Sequence, residues 1–317
     1  MNDTQNIRIS LLIPVYNYDI VALVAGLKSA FGSVPEFTEI LIGDDASSAE
    51  YREMYKSLEG DRVRVVSSDR NIGRAATRNK LALEASGNYL LFVDADMRIP
   101  GTAESYLNKY ISYLGISEVL CGGIRYSDNP PGDPDKLLRW KYGIWREQKK
   151  ASERNKRPYS DFSTFNVLLA KSVFSRIRFY EELRQYGHED TLLSFQFKNA
   201  GIKILHIDNN LIHEGLESNR EYLDKVKLGV ENLSMLYDKV TDKNSFCETL
   251  TMLRSYRRLS ILRLTLVLAG FFIRYRERME MALESGNKSN YLFVFYRMCM
   301  FCTYREIHRR KNILAIF

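Results

Sequence analysis

Asp94 and Asp96 come directly after the apolar run Tyr89-Leu90-Leu91-Phe92-Val93. Such a run reads as a buried strand, and an open α/β sheet binds its ligand at the carboxyl ends of its strands. Two acids at this spacing repel each other unless a cation lies between them. Hard oxygen ligands at a sheet edge suit Mg²⁺ or Mn²⁺ carrying a substrate phosphate. The competing reading is a helix cap beside a solvated acid. A second acidic pair, Glu189-Asp190, opens a helical stretch, where the dipole favours ionised carboxylates; the pair either steadies the first turn or does acid–base chemistry. Arg74 and Arg78 lie four apart on a predicted helix and share a face, placed to meet phosphates or to brace carboxylates. His213, just beyond the last major strand, is a candidate third metal ligand or phosphate contact, or an ordinary packed histidine.

The elements that must position these groups alternate strand and helix through the first half of the chain, the pattern of a parallel sheet with crossover helices. Strands are expected at Ile9 to Val15, Glu39 to Gly43, Val63 to Ser67, Tyr89 to Val93, Val119 to Ile124 and Ile202 to Ile207. Helices are expected near Tyr18 to Phe31, Ala49 to Leu58 and Gly73 to Ala85, with a long polar helix from Asp135 to Arg157. Trp140, Tyr142 and Trp145 fall close together in that helix, as a platform for a sugar or as a packed face. Asp44 to Ser47 also reads as a turn leading to a helix N-cap at Ser47 or Ser48.

The chain has 317 residues, 45% of them hydrophobic, enough for one large α/β core with an appendage. Its four cysteines show no paired CxxC or histidine pattern, so they read as reduced structural thiols of a cytoplasmic protein. The polar start, Met1 to Ile7, predicts no secretory leader. Charge is uneven: from Phe246 to Phe317 there are 13 Lys and Arg against 5 Asp and Glu, and the preceding 245 residues carry 33 against 34. We therefore expect a catalytic domain over 1–245 and a basic, aromatic helical region over 246–317. The longest uncharged stretch there, Leu264 to Ile273, is half the roughly 20 residues that a spanning helix needs. It suits either the interfacial plane of a membrane or a packed helical subdomain, including a homodimer contact.

Five motifs, in order, resemble those of the family 2 glycosyltransferases, whose nucleotide-sugar-binding fold is called GT-A. They are Ile13-Pro14-Val15-Tyr16-Asn17, Gly43-Asp44-Asp45-Ala46-Ser47, Asn71-Ile72-Gly73-Arg74 with Arg78-Asn79, Asp94-Ala95-Asp96, and Gly187-His188-Glu189-Asp190. The resemblance covers about residues 8 to 235. It implies a mostly parallel GT-A sheet flanked by helices, with the C-terminal helical region added. It also implies that the Pro14 to Asn17 loop, Tyr16 included, wraps the base of a nucleoside diphosphate, and that Asp45 accepts hydrogen bonds from that base while Asp44 holds the loop. Arg78 matches the family's arginine. Asp94 and Asp96 hold a Mn²⁺ or Mg²⁺ ion on the diphosphate, with Asp96 the direct ligand. Asp190 is then the general base, supported by Glu189, and Asp161 to Asn166 resembles the segment lining the sugar pocket. There Asn166 either bonds a sugar hydroxyl or caps a turn.

The function these expectations favour is an inverting, metal-dependent transfer of a sugar from a nucleoside diphosphate, UDP by default. The acceptor is a hydroxyl of a saccharide or lipid-linked saccharide, at the cytosol or the inner membrane face. A nucleotidyltransferase also sets carboxylates and a metal beside a nucleotide, but no glycine-rich triphosphate loop is present. A non-catalytic sugar or nucleic-acid binding module would leave the set of acids unexplained, and no nucleic acid is expected as partner.

Overall fold

The computed structural model of the chain describes residues 7–183, 187–286 and 288–314, and of 310–314 only the backbone. The chain divides into two compact units: Met1–Ser127, Gln148–Arg184 and Leu192–Gly215 form the first, and Asp128–Glu147, Gln185–Thr191 and Leu216–Phe317 the second.

The first unit begins with β1 (Ile9–Val15), α1 (Val21–Lys28), β2 (Phe37–Asp44), α2 (Ala49–Ser57), β3 (Val63–Ser67), α3 (Arg74–Glu84) and β4 (Tyr89–Val93). It continues through β5 (Met97–Arg98), α4 (Ala103–Ile111), β6 (Val119–Cys121) and β7 (Ile124–Arg125). After a stretch belonging to the second unit come α6 (Ala151–Arg154), β8 (Asn166–Ala170) and α7 (Lys171–Arg176). The unit closes with most of α8 (Glu189–Asn199), then β9 (Ile204–His206) and β10 (Leu211–His213). Seven strands form one sheet in the order β3-β2-β1-β4-β8-β6-β9. All pairings are parallel except the two made by β8, which runs antiparallel to β4 and β6. The strand sequences explain the burial: β1 and β4 are continuous apolar runs because helices cover both faces, so Leu11, Leu12, Leu91 and Phe92 are fully buried. A smaller sheet, β5-β10-β7, sets Met97 opposite His213.

The second unit contains α5 (Leu137–Tyr142), the π-helical turn Gly143–Glu147, the first turn of α8, and five further helices: α9 (Asn219–Lys239), α10 (Lys243–Thr249), α11 (Thr251–Ile261), α12 (Thr265–Glu284) and α13 (Asn290–Leu314). Ser218 and Glu221 form a capping box at the start of α9. Side chains tie the bundle together: Phe272 of α12 meets Tyr296 of α13 at 5.6 Å between ring centres, and Arg305 of α13 grips Asp238 of α9 with bonds of 2.6 and 2.7 Å.

Several expectations are corrected. The long polar helix is broken into α5, the π-helical turn and α6, because Gly143 and the extended backbone at Lys150 interrupt it. The strand expected over 119–124 is split into β6 and β7 by Gly122-Gly123, with Gly123 at φ +89°. Asn166, expected to bond a sugar hydroxyl or to cap a turn, begins the strand β8.

Candidate active site

The ends of β1 and β2 are locked to each other. Asn17, at φ +47°, donates from its backbone N–H to Ser47 Oγ (2.9 Å), and its side-chain Oδ1 accepts from Ser48 N at 2.8 Å. Ser48 is the N-cap residue of α2, though its side chain makes no cap bond, and Asn17 holds its backbone N–H. Asp44 is fully buried, and its Oδ1 accepts from Ser47 N at 2.9 Å, so it holds the turn as expected. These bonds leave Tyr16 at the tip, 53% exposed, with Pro14 behind it on β1. Asp45 does a second holding task. Its Oδ1 accepts from Ile72 N at 2.7 Å and its Oδ2 from Gly73 N at 2.9 Å, pinning the β3–α3 connection to β2. Each oxygen keeps a further lone pair for another donor.

Asp94 and Asp96 emerge at the end of β4, as the apolar run before them predicts. Arg78, 2% exposed on α3, donates from Nη2 to Asp94 Oδ1 at 2.7 Å and lies 5.5 Å over the Phe179 ring. Of the two roles open to Arg78, it is seen bracing a carboxylate. Asp96 meets His213, with Oδ2 3.3 Å from Nε2, and the imidazole lies 5.3 Å from the Tyr126 ring. His213 Nδ1 is buried and makes no hydrogen bond. The small sheet produces this meeting, since β10 carries His213 alongside β5 just past the acidic pair. Behind Asp96 lies Gly215, where a Cβ would stand 2.6 Å from Asp96 Cβ and 2.7 Å from Oδ2. Only a residue without a side chain lets the loop approach this closely.

Among the described residues no cluster of three or more His, Cys, Asp or Glu side chains is close enough to hold a metal unaided. The donors that are present still fit a hard cation. Asp96 with the imidazole beside it, and Asp94 two residues earlier in the chain, supply up to three protein ligands. Mg²⁺ and Mn²⁺ commonly complete such a set with diphosphate oxygens and water.

The acidic pair Glu189-Asp190 lies in the second unit, on the first turn of α8. Gly187 at φ +93° and His188 at φ +70° form the turn that launches the helix. Asn232 of α9 donates to Gly187 O at 2.6 Å, and Gly229 leaves only 3.3 Å between its Cα and a Cβ built at Gly187. Asp190 Oδ1 accepts from Thr191 N at 2.7 Å, and His188 Nδ1 lies 3.1 Å from Thr191 Oγ1. Burial, then the positive charge of Arg297, lowers the His188 pKa well below that of a free imidazole, so the ring is neutral at pH 7.

This chemistry is matched by what the chain is similar to. The model of glycosyl transferase family 2 matches residues 10–178, more than half of the sequence. The chain belongs to glycosyl transferase family 2. A stretch of 96 residues is 36% identical to an uncharacterized glycosyltransferase of Rickettsia conorii, covering 30% of this chain and 15% of that protein. Another of 108 residues is 30% identical to an uncharacterized glycosyltransferase of Haemophilus influenzae, covering 33% of this chain and 42% of that protein. The chain thus matches less than half the length of either relative. Among solved structures, the mannosyltransferase PcManGT of Pyrobaculum calidifontis, in complex with GDP-Man and Mn²⁺, superposes with a TM-score of 0.57 at 13% identity, over 95% of this chain and 86% of that one. The glucosyl-3-phosphoglycerate synthase of Mycobacterium tuberculosis, in complex with phosphoglyceric acid, gives 0.50 at 15% identity, over 73% and 79%. The fold is the GT-A fold.

One of this family 2 chain's expected site residues belongs elsewhere. Asn166 is 1% exposed and spends its whole carboxamide internally. Its Nδ2 donates to the carbonyls of Gly123 and Asn209, both at 2.8 Å, and its Oδ1 accepts from Tyr106 Oη and Tyr110 Oη at 2.6 and 2.7 Å. With two donors and two acceptor positions filled, nothing remains for a sugar hydroxyl. Tyr142 likewise packs, edge-on to Phe293 at 4.9 Å and accepting from Arg297 Nη1 at 2.7 Å, while Trp145 stays 43% exposed. Sequence reasoning missed Gly215, Gly229 and Asn232. Their contacts are tertiary and leave no local pattern in the sequence.

Proposed function

We propose that this protein is an inverting, metal-dependent glycosyltransferase that moves a sugar from a nucleoside diphosphate, with UDP as the first choice, to a hydroxyl of a saccharide or lipid-linked saccharide. Cell-surface polysaccharide synthesis at the cytoplasmic side of a membrane is the setting this reading favours. The observation that carries it is the meeting of the β4 acids with Arg78 on one side and His213 on the other, beside the interlocked ends of β1 and β2.

In this reading Tyr16 and Pro14 flank the base, and Asp45 accepts from it with the lone pairs left over from Ile72 and Gly73. Asp96, with His213 and Asp94, holds the divalent cation, which when bound would offset the charge developing on the departing diphosphate. Arg78 orients the Asp94 carboxylate. Asp190 takes the proton from the acceptor hydroxyl as its oxygen attacks the anomeric carbon, and Glu189 and neutral His188 support the turn. A single displacement with one base inverts that carbon. The Pyrobaculum enzyme's complex with GDP-Man and Mn²⁺ supports the cation and keeps GDP among the donors to be tried.

Thermal shift with UDP, GDP, CDP and dTDP sugars, with and without Mn²⁺, tests the donor. One base should raise the melting temperature, and more so with Mn²⁺, because a ligand at 100 times its Kd stabilises by about 2.7 kcal/mol. No shift with any donor contradicts the proposal. Asp190→Asn should keep that shift while slowing transfer by about 10²–10⁴-fold; transfer at the normal rate would remove the base assignment.

A further inference from the structure

We infer that the outer face of the first turns of α12, together with the α11–α12 turn, docks on an anionic lipid bilayer. In α12 the buried positions Thr265, Ala269, Phe272, Met279 and Leu283 form one stripe. Residues spaced as these are share one side of a helix, so the other side should be polar if it faced only water. It is apolar instead. Leu266 and Val267 are 56% and 65% exposed, and in the preceding turn Ile261, Leu262 and Leu264 are 73%, 65% and 41% exposed. Arg263 in that turn holds φ +57°, outside the helical region, and its side chain is exposed like those around it. Contiguous exposed apolar side chains of this kind mark an interaction surface.

Charge selects the occupant. From Thr249 to Arg276 the chain carries six arginines and no aspartate or glutamate. Arg257, Arg258, Arg263, Arg274 and Arg276 are exposed. A second copy of the chain, pairing about a twofold axis, would set this arginine-rich face against itself. Anionic headgroups complement it, with apolar side chains entering the boundary between headgroup and acyl chain. Among the described residues no helix is long and apolar enough to cross a membrane, so contact is in the plane of the interface. The inference stands on this surface alone and does not depend on the transfer reading.

Flotation of the full chain with phosphatidylcholine vesicles, and with vesicles containing phosphatidylglycerol, tests it. The wild type should float with the anionic vesicles at low salt, float far less at high salt, and stay behind with phosphatidylcholine alone. Leu266→Ser with Val267→Ser should reduce partition at least about tenfold, and each of Arg258→Gln and Arg263→Gln about fivefold. These side chains are exposed, so melting temperatures and Mn²⁺-dependent UDP binding, measured without vesicles, should match the wild type. Absence of flotation at low salt overturns the inference, as does equal flotation of the serine variant. If the serine pair instead converts a dimer to a monomer in sedimentation velocity while flotation is unchanged, the face is an interface between copies and the inference is wrong.

Discussion

Replacing Gly215 with alanine should damage metal-linked nucleotide binding while leaving the rest of the site alone. The added methyl would stand 2.6 Å from Asp96 Cβ, a carbon tied to the backbone with no freedom to swing away. Ordinary carbon–carbon contact begins at about 3.5 Å, so the loop or the Asp96 side chain must give by about 0.9 Å. If the loop gives, the cost is about 1–3 kcal/mol of stability. If the carboxylate gives, its hold on the cation loosens, and supporting contacts of this kind are worth about 10–100-fold in metal affinity. Calorimetric titration of UDP, with Mn²⁺ and in its absence, separates the two. The variant should bind UDP at least about tenfold more weakly with Mn²⁺ and within about twofold of wild type without it. Gly26→Ala, on α1 with nothing within 4 Å of the added carbon, is the control and should be neutral or slightly stabilising. Wild-type UDP affinity in the presence of Mn²⁺ for the Gly215 variant, with no loss of stability, would refute the place given to Asp96.

Arg78→Met removes the guanidinium from Asp94, whose side chain is 24% exposed, and urea denaturation should show a loss of about 2–4 kcal/mol; Asp94→Asn in that background should restore part of it. Asn166→Ala strands two tyrosine hydroxyls and two carbonyls, so it should cost about 3–5 kcal/mol while leaving the Mn²⁺-dependent UDP affinity of the folded protein within about threefold. Stability should fall with acid through His206. Burial lowers its pKa to about 4 from the ordinary 6.5, with Arg154 Nη1 2.7 Å from Nδ1. Because the unfolded chain takes up the proton first, this contribution is complete above pH 6.5 and is lost as pH falls towards 4, on the order of 3 kcal/mol in all. His206→Gln should flatten that part of the pH profile of urea denaturation.

How far the sequence could be read depended on whether the deciding contacts were local. Strands β1 to β4 and helices α2 and α3 were legible because their apolar runs and periodicities are intrinsic, and the strand-end acids follow from where those runs stop. Strand β8 was not legible, because Asn166-Val167-Leu168-Leu169-Ala170 is a short apolar run followed directly by α7, and length alone does not separate it from a helix. Strands β5 and β10 are only two and three residues long, and pairing across more than a hundred residues defines them. The role of Asn166 was hidden for the same reason: two tyrosines of α4, fixed by the fold, consume its carboxamide. At Asp45 the family motif pointed to the residue, while its bonds to Ile72 and Gly73 needed the loop's three-dimensional course. The N-cap of α2 falls at Ser48, one of the two expected positions, while the bond from Ser48 N to Asn17, 31 residues earlier, is tertiary.

The central claim is that a divalent cation and a nucleoside diphosphate bind at the end of β4. Anomalous diffraction from crystals grown with UDP and Mn²⁺ tests it most directly. The account predicts a manganese peak about 2.2 Å from an Asp96 carboxylate oxygen, with diphosphate oxygens completing its shell. A peak away from Asp94, Asp96 and His213, with UDP bound elsewhere, would contradict it.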